Sequence, residues 1–345
     1  MDRELTVSSI LGGAVILIAA ALLSVVLIVL LRPLLARYAI VRPNARSSHT
    51  MPTPQGGGIA VIAAALGVSG ATLYFFPVGT TAAVQLLLIS VAVVFIAGVG
   101  VLADVHPENV VLRLLLQTLA VSAVILVLPP GLRILPILPL AAERIALVIG
   151  GLWFVNLVNF MDGLDWMTAA ETVPIAAALA VIGLFGPLPP LAIIVSLALC
   201  GAMIGFGYFN RPVATLFLGD VGSLPVGLLL GWLLVLLAGN GGRAAAILLP
   251  LYYLADSTIT LVRRARNGET IWRAHRSHFY QRATDRGFTV IDVVARVFAV
   301  NVVLATLAIS TVIVRSRIID IAALGTGAVL VTGLLYTLSR GRIKE

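Results

Sequence analysis

Long apolar runs separated by short polar segments make up most of the chain. The runs cover residues at about 8–31, 57–76, 82–102, 110–128, 144–158, 168–185, 188–208, 222–239, 244–262, 293–314 and 318–338. Nearly all of them approach the roughly 20 residues that a helix needs to cross the hydrocarbon core of a bilayer. The first run is too long for a signal-peptide core and lacks a small-residue cleavage site, so it is interpreted as a helix. The pattern predicts an all-α, polytopic membrane protein with about eleven transmembrane helices in one integral membrane domain, residues 1–345.

The composition excludes the soluble classes of protein. Of the 345 residues, 60% are hydrophobic and 11% are charged, whereas about 25% of the residues of a typical soluble domain are charged. A water-soluble globule, a disordered chain and a nucleic-acid-binding domain are therefore excluded as interpretations. The one cysteine, Cys200, lies within an apolar run, which excludes a disulfide framework or a thiolate metal site.

The formal charge of +8 is distributed unevenly between the two ends of the predicted helices. We call the connections that follow the odd-numbered helices the inner loops. These loops and the C-terminal tail hold sixteen basic residues, whereas the opposite side holds six. Because cytoplasmic loops carry the excess of basic residues in membrane proteins, this distribution predicts an N-terminus outside the cell and a cytoplasmic C-terminus.

The residue types that carry out catalysis and bind ligands gather in the same inner loops. They include all four histidines and eight acidic residues: His49, His106, His275, His278, Asp104, Glu108, Asp162, Asp165, Asp220, Glu269, Asp285 and Asp292. A membrane scaffold requires no such set. Carboxylates close to arginines predict a site that holds a divalent cation together with phosphate groups, since Mg²⁺ takes oxygen ligands and guanidinium groups pair with phosphate.

The first and third inner loops each have two interpretations. In the first, Pro52 and Pro54 keep the chain extended, and the glycines at 56–58 allow backbone to approach a ligand; the alternative is an ordinary break between helices. In the third, Asn156 and Asn159 share one helix face if the helix continues that far. Asp162 and Asp165 follow them and add charge beside a cation, although asparagine and aspartate also occur at ordinary helix ends.

The fourth and fifth inner loops are the most specific. Asp220 stands between glycines just before a predicted helix, where free backbone amides favour anions. Phe217 is suited to stacking on a base, although a lone aromatic residue more often packs in the membrane. The fifth loop, residues 273–282, combines two histidines with three arginines. Membrane topology explains such arginines but not the histidines, and a diphosphate ligand explains both.

These segments, in this order, resemble those of the polyprenyl-phosphate N-acetylhexosamine-1-phosphate transferases. The motifs are Pro-Thr-Pro-x-Gly-Gly from Pro52, Asn-x-x-Asn-x-x-Asp-Gly from Asn156, Phe-x-Gly-Asp-x-Gly-Ser from Phe217 and His-Arg-Ser-His-x-Tyr-Gln-Arg from His275. The likeness covers nearly the whole chain. The last motif is more similar to the enzymes that initiate O-antigen, capsule and teichoic acid synthesis than to the peptidoglycan branch.

The resemblance implies a Mg²⁺-dependent phosphotransferase of the bacterial inner (plasma) membrane, with its active site on the cytoplasmic face. Undecaprenyl phosphate, or another polyprenyl phosphate, attacks the β-phosphorus of a UDP-N-acetylhexosamine and UMP leaves. The polyprenyl-diphosphate-linked sugar then begins a cell-surface polysaccharide such as lipopolysaccharide. Mg²⁺, or Mn²⁺ in its place, is the implied cofactor, and nucleic acid is not an implied partner. The sequence leaves open which N-acetylhexosamine is used and whether the protein forms a homodimer.

The resemblance also implies roles for individual residues. The implied metal ligands are Asn159 and Asp220, and the implied catalytic residues are Asp104, Asp162, Asp220 and His278. Asp165, Asn210 and Phe217 are expected to line the uridine pocket. The remaining substrate-binding residues are His49 near the nucleotide, and His275, Arg276 and Arg282 on the diphosphate or the sugar.

Three positions do not fit this scheme directly. The family usually has adjacent aspartates after the third helix, whereas here the pair is Ala103-Asp104, so a role in positioning the lipid phosphate either passes to Asp104 or is dispensable. Trp166 stands where many members have glycine. Asp256 lies inside the ninth run, where an acid marks either a functional site or a partner for a basic residue of the bundle.

Three rival functions remain as alternatives. The first is the peptidoglycan branch of the same family. The second is a membrane transporter, although transporter sites tend to lie at the bilayer midplane within internal repeats, and no repeat is visible. The third is a CDP-alcohol phosphotransferase, whose longer aspartate pattern is not continued after Asp162-Gly163-Leu164-Asp165.

Overall fold

The computed structural model describes residues 7–41, 51–105, 109–270 and 275–340. Within these ranges the chain forms thirteen helices: α1 (Val7–Tyr38), α2 (Gly57–Phe75), α3 (Thr80–Val105), α4 (Val110–Leu126), α5 (Leu140–Met161), α6 (Met167–Leu184), α7 (Pro190–Gly207), α8 (Asp220–Gly239), α9 (Arg243–Leu248), α10 (Leu251–Arg266), α11 (Phe279–Asp285), α12 (Val290–Val314) and α13 (Arg317–Arg340). Two short strands, β1 (Ile40–Val41) and β2 (Thr53–Pro54), pair antiparallel between α1 and α2. The predicted all-α polytopic fold is confirmed.

The predicted apolar runs correspond to observed helices with one exception. Within the described ranges, nine helices are long and apolar enough to cross a membrane, and α4 is a shorter apolar helix at a predicted position. The predicted run 244–262 is wrong as a continuous helix, because the chain breaks at Leu249 and Pro250 between α9 and α10. Proline lacks an amide hydrogen and its ring clashes with the preceding turn, so it begins a new helix instead of continuing the old one.

Helix α8 occupies the centre of the bundle and packs against α2, α3 and α5. Its N-terminus is held by glycines that permit close backbone contact. A Cβ atom on Gly58 would lie 2.1 Å from the Cα atom of Gly222, and one on Gly100 would lie 2.4 Å from the backbone oxygen of Asp220. The glycines of the first inner loop therefore admit the start of α8, and the expectation that they admit a ligand is wrong for Gly58.

Buried polar side chains inside the bundle bond to one another. The Nδ2 of Asn156 donates to the Oε1 of Gln117 at 2.8 Å, joining α5 to α4. The Nδ2 of Asn301 donates to the Oε2 of Glu171 at 2.6 Å, joining α12 to α6. Because hydrocarbon offers no hydrogen-bond partner, such internal pairs satisfy polar groups that would otherwise be costly at membrane depth.

The outer helices present apolar side chains away from the protein. On α1 the side chains of Ile10, Leu22 and Leu30 are more than half exposed, as are those of Ile318 and Val329 on α13. Exposed apolar surface of this extent is unfavourable in water and suited to lipid. The exposure pattern agrees with a multi-pass membrane protein.

The inner loops meet at one end of the bundle. Residue Phe217 of the fourth loop pairs with the first loop, since its amide donates to the carbonyl of Pro54 at 2.8 Å and its carbonyl accepts from the amide of Gly57 at 2.9 Å. The hydroxyl of Tyr280, in the fifth loop, donates to the carbonyl of Phe160 at the end of α5 at 3.0 Å. Polar residues far apart in sequence are thereby collected at one surface.

Candidate active site

A cavity of about 270 Å³ opens where the inner loops meet. Seven of the residues predicted from the sequence line it: Asp104, Asn159, Asp162, Asp165, Asn210, Phe217 and Asp220. The other lining residues are Val41, Gln55, Gly163, Leu164, Leu218, Gly219, Gln281 and Val290. Carboxylates and amides from separate loops thus share one cavity with apolar side chains.

The two predicted metal ligands are in direct contact. Helix α5 continues to Met161, so Asn159 lies in its last turn, and Asp220 is the first residue of α8. The Nδ2 of Asn159 donates to the Oδ1 of Asp220 at 2.7 Å and to the Oγ of Ser223 at 2.9 Å. This orientation fixes the amide plane, so that the carbonyl oxygen of Asn159 points away from Ser223.

That carbonyl oxygen and the second carboxylate oxygen both face Arg113, in the first turn of α4. The Nη2 of Arg113 lies 3.2 Å from the Oδ1 of Asn159, and its Nη1 lies 3.3 Å from the Oδ2 of Asp220. About a quarter of each charged side chain is exposed. Two oxygen atoms from different helices therefore converge on a single positive charge.

Asp104, near the end of α3, binds the N-terminus of α8. Its Oδ1 accepts the backbone amide of Asp220 at 3.1 Å and its Oδ2 accepts that of Val221 at 3.3 Å. The free amides at the helix start favour an anion, and the chain itself supplies that anion. The expectation that these amides are free for a substrate anion is therefore wrong.

The loop between α5 and α6 supplies two further carboxylates. Asp162 accepts a hydrogen bond from the hydroxyl of Thr168. Burial of the carboxyl raises its pKa to about 7, and the negative charges of Asp220, Asp104 and Asp165 add to the effect, whereas the bond from Thr168 lowers it. The Asp162 carboxyl therefore exchanges its proton near neutral pH.

The pocket wall on the other side is built from Asp165, Asn210 and their neighbours. The Oδ2 of Asp165 accepts the amide of Ala214 at 2.9 Å. Asn210 accepts the amide of Trp166 at 2.8 Å through Oδ1 and donates to the carbonyl of Leu216 at 2.9 Å through Nδ2. Trp166 has a φ of +65°, the region that glycine occupies without strain. These bonds tie the α5–α6 loop to the α7–α8 loop.

His278 does not line the cavity. Its side chain is 2% exposed, and its Nδ1 lies 3.2 Å from the Oδ1 of Asp256, which is fully buried. The carboxylate of Asp256 also accepts the backbone amides of Phe279 and Tyr280, at 3.1 and 3.3 Å. Asp256 thus holds the start of α11. Of the two interpretations of this intramembrane acid, pairing within the bundle is the one that the structure supports, with a histidine as its basic partner.

The other residues of the basic loop also have protein partners. Arg276 pairs with Asp285 at 3.2 Å, and the Nδ1 of His275 lies 2.9 Å from the Oγ of Ser277. Burial lowers the pKa of His275 to about 4, and the charges of His278 and two arginines act in the same direction. Acidic residues of the chain therefore pair with some of the basic groups that were expected to bind a diphosphate.

The basic loop nevertheless adjoins the cavity. Gln281 lines it, one residue before Arg282, whose side chain is half-buried. A Cβ atom on Gly163 would lie 2.2 Å from the hydroxyl of Tyr280 and 2.9 Å from the Nε2 of Gln281. Close packing at this glycine fixes the loop against the α5–α6 connection. His49 lies outside the described residues.

Comparisons with known proteins find similar sequences. The family model described as glycosyl transferase family 4 matches residues 86–238. A relative from Bacillus subtilis, named probable undecaprenyl-phosphate N-acetylglucosaminyl 1-phosphate transferase, is 26% identical over 83% of this chain and 84% of its own. A relative from Mycobacterium tuberculosis, named decaprenyl-phosphate N-acetylglucosaminephosphotransferase, is 27% identical over 88% of this chain and 83% of its own.

The chain is therefore similar over most of its length to enzymes named as polyprenyl-phosphate N-acetylglucosamine-1-phosphate transferases. The segment of the chain that matches the family model contains Asp104, Asn159 and Asp220. It ends before the basic loop that carries His275 and His278. The contacts among the first three residues are therefore contacts within the matched segment.

The side-chain oxygen atoms of Asn159 and Asp220 that face Arg113 fit a hard divalent cation. The Oδ2 of Asp220 and the Oδ1 of Asn159 are a carboxylate and an amide carbonyl oxygen, which are ligand types that Mg²⁺ accepts. Both already face one cationic group in the structure, the guanidinium of Arg113. Within the described residues, no group of three or more histidine, cysteine or acidic side chains forms a metal cluster, so remaining ligands would come from water and phosphate.

Several residues of the candidate site were not predicted from the sequence. Arg113 is one of the sixteen basic residues from which the orientation of the chain is predicted, and Gln55, Gln281, Val41 and Val290 are not among the predicted site residues. A signal existed for Gln281, which is a specified position of the motif from His275, whereas Gln55 occupies the unspecified position of the motif from Pro52. Val41 and Val290 carry no chemical signal, because an apolar residue beside an apolar run looks the same whether it packs in the core or lines a pocket.

Proposed function

We propose that the protein transfers N-acetylhexosamine-1-phosphate from a UDP-sugar to undecaprenyl phosphate or another polyprenyl phosphate, releasing UMP. The product is a polyprenyl-diphosphate-linked sugar, which begins the synthesis of a cell-surface polysaccharide. The observation that carries the proposal is the contact between Asn159 and Asp220 beside a polar cavity at the loop end of a membrane bundle. The names of the two relatives support N-acetylglucosamine as the sugar.

The proposed reaction forms one bond and breaks one bond. An oxygen of the lipid phosphate attacks the β-phosphorus of the UDP-sugar, and the bond from that phosphorus to the bridging oxygen breaks, so that UMP leaves with the electron pair. Mg²⁺ bound by Asn159 and Asp220 would neutralise negative charge on the diphosphate. Phosphoryl transfer depends mainly on positioning and charge neutralisation, so a strong protein base is not required.

The residues of the chain have separate tasks in this proposal. Asp104 holds the first turn of α8 and so positions Asp220. Asp165 and Asn210 shape the wall assigned to the uridine, with Phe217 offering an aromatic surface. The basic loop approaches the cavity through Gln281, and the resemblance of its motif to that of the family assigns His275, Arg276 and Arg282 to the diphosphate or the sugar. His278 is assigned to positioning of the loop, since it is buried against Asp256.

We also infer that this face of the bundle is cytoplasmic and that the membrane is the bacterial plasma membrane. The excess of basic residues on the inner loops supports the orientation. A nucleotide sugar is soluble and a prenyl tail is not, so the two substrates meet where the bilayer ends. The cavity at the loop end of the helices suits that meeting place.

The test is a transfer assay with the full-length protein in detergent micelles. Purified protein is incubated with UDP-N-acetylglucosamine, undecaprenyl phosphate and Mg²⁺, and nucleotide and lipid products are identified by mass spectrometry. Release of UMP is the deciding result, because simple glycosyl transfer would release UDP. Parallel reactions with UDP-N-acetylgalactosamine and UDP-N-acetylmuramoyl-pentapeptide separate the sugars and the peptidoglycan branch.

Two variants control the assay. Asp220→Asn is expected to abolish UMP release, because it removes the charge of the proposed metal ligand. Asp320→Asn, in the first turn of α13 outside the cavity, is expected to retain full turnover. UMP release by a folded Asp220→Asn variant at the unmodified rate would contradict the assigned site. Uptake of a solute into vesicles without UMP release would favour the transporter.

A further inference from the structure

Arg113 is a charged residue that the proposed reaction leaves without a task. Arg113 lies in the first turn of α4, and its guanidinium contacts one residue of α5 and one residue of α8. The first turn of α4 is fixed by its cap, in which the side chain of Asn109 accepts the amide of Val111 at 2.9 Å. The guanidinium is therefore delivered from a defined backbone position.

The two atoms that Arg113 contacts are the same two atoms that the proposed function assigns to the divalent cation. Its Nη2 faces the Oδ1 of Asn159 at 3.2 Å and its Nη1 faces the Oδ2 of Asp220 at 3.3 Å. The remaining polar atoms of this pair are already engaged with each other and with Ser223. A cation that takes both oxygens must therefore approach from the side where the guanidinium lies.

A divalent cation bound to these two oxygen atoms would lie within a few ångströms of the guanidinium. The two positive groups would repel each other strongly, since the interaction between charges at that distance is large in a partly buried site. Both cannot share the two oxygen atoms. The carboxylates of Asp220, Asp104 and Asp162 around the cavity would, in turn, repel one another without positive charge among them. Either the guanidinium or the divalent cation, but not both together, can therefore lie between these carboxylates.

We propose that Arg113 is a built-in counter-cation, which holds Asn159 and Asp220 in place before the divalent cation binds and must move away when it does. This inference rests on the proposed function, because it takes Asn159 and Asp220 as the cation ligands. Arg113 then lowers the affinity of Asn159 and Asp220 for the metal. It also keeps the ligand pair assembled, so that binding exchanges one cation for another without rebuilding the site.

The experiment measures binding of Mn²⁺ to the full-length protein in detergent, without nucleotide or lipid, by the loss of the free-ion signal in electron paramagnetic resonance. Arg113→Gln removes the competing charge but retains a hydrogen-bonding group, and is expected to bind Mn²⁺ about tenfold more tightly than the unmodified protein. Arg113→Lys keeps the charge but cannot bridge both oxygens, and is expected to lie between the two. Arg296→Gln, which removes an arginine paired with Asp292 on α12, is the matched control and is expected to change nothing.

Two outcomes overturn the inference: Mn²⁺ affinity that is unchanged in Arg113→Gln, or affinity that is lower. If Arg113→Gln does not fold, the Arg113→Lys variant is measured instead. Mn²⁺ binding by Arg113→Lys that is equal to or weaker than that of the unmodified protein also contradicts the inference. The double variant Arg113→Gln with Asp220→Asn separates this inference from the proposed function. Loss of Mn²⁺ binding in the double variant with no gain in the single one rejects only the counter-cation, whereas retained binding in the double variant rejects the assigned metal site.

Discussion

The carboxylate of Asp104 caps the helix that begins with Asp220. Its two oxygens accept the first two backbone amides of α8, at 3.1 and 3.3 Å. An acid from one helix thus fixes the direction of another, and with it the proposed metal ligand. In this chain Ala103 replaces the first of the two adjacent aspartates that the family usually has. The remaining acid, Asp104, therefore has a structural role in capping α8, which is separate from the catalytic role predicted for it.

We expect Asp104→Ala to destabilise the protein more than Asp104→Asn does. Both variants remove the charge, but asparagine retains one acceptor oxygen and caps helices about as well as aspartate. The loss of the cap in the alanine variant is expected to cost about 1 kcal/mol relative to the asparagine variant. Thermal unfolding of both variants in detergent measures the difference. Equal melting temperatures would show that the cap does not hold α8.

The contact between Gly58 and Gly222 gives a second prediction. We expect Gly58→Ala to lower the melting temperature strongly, because the new Cβ atom would lie 2.1 Å from backbone and neither helix can yield locally. Overpacking of this kind costs about 3 kcal/mol. Gly70→Ala on the same helix is the matched control, since its Cβ atom would meet nothing within 4 Å. The prediction fails if both variants melt alike.

The sequence was sufficient for features that depend on local pattern. Apolar runs specify helices in a bilayer, and Asn159 and Asp220 stand in short motifs whose residue types suit a cation. Pro250 was a signal for the break between α9 and α10, but the residues on both sides of it are apolar, so the segment was interpreted as one helix. These features need no knowledge of which helices are neighbours.

Features that depend on helix packing could not be predicted. Arg113 meets Asn159 and Asp220 across 46 and 107 residues, and no periodicity marks such a pair. The burial of His278 likewise follows from the docking of α11 on α10. Asp256 carried one useful signal, an acid inside an apolar run, but its partner became identifiable only when the fifth loop was placed beside it.

The buried carboxylate of Asp256 gives a third prediction. We expect Asp256→Asn to destabilise the protein by about 3 kcal/mol, because the amide nitrogen would replace one of the two acceptor oxygens and turn a donor toward the backbone amide of either Phe279 or Tyr280. Asp285→Asn removes a half-exposed acid of the same loop and is expected to cost little. Protease sensitivity of the fifth loop, with thermal unfolding, measures both effects. Comparable losses in the two variants would contradict an anchoring role for Asp256.

The raised pKa of Asp162 gives a fourth prediction, on how stability depends on pH. The carboxyl titrates at 3.8 when unfolded and at about 7 in the folded protein, because of burial and neighbouring carboxylates. Between these values the folded state holds the proton that the unfolded state has lost, so this group makes stability fall as pH rises from about 4 to 7. We expect Asp162→Asn to remove that fall, as measured by melting temperatures from pH 5 to 8. Asp320→Asn is the control for loss of an acid elsewhere, and an unchanged profile in Asp162→Asn would contradict the shift.

His275 gives the opposite dependence in the same range. Its pKa falls from 6.5 to about 4 on folding, because burial and nearby positive charges disfavour the imidazolium. As pH drops below about 6.5 the unfolded state takes up a proton that the folded state refuses, so this group makes stability fall as pH is lowered toward 4. The pH dependences of stability that come from Asp162 and His275 therefore partly cancel in the unmodified protein. In His275→Gln only the contribution of Asp162 remains, so we expect the stability of this variant to fall as pH rises from about 4 to 7. Melting temperatures of His275→Gln and of the double variant with Asp162→Asn test this directly, since the double variant should lose both slopes. A single variant that keeps the profile of the unmodified protein would show that His275 titrates normally in the fold.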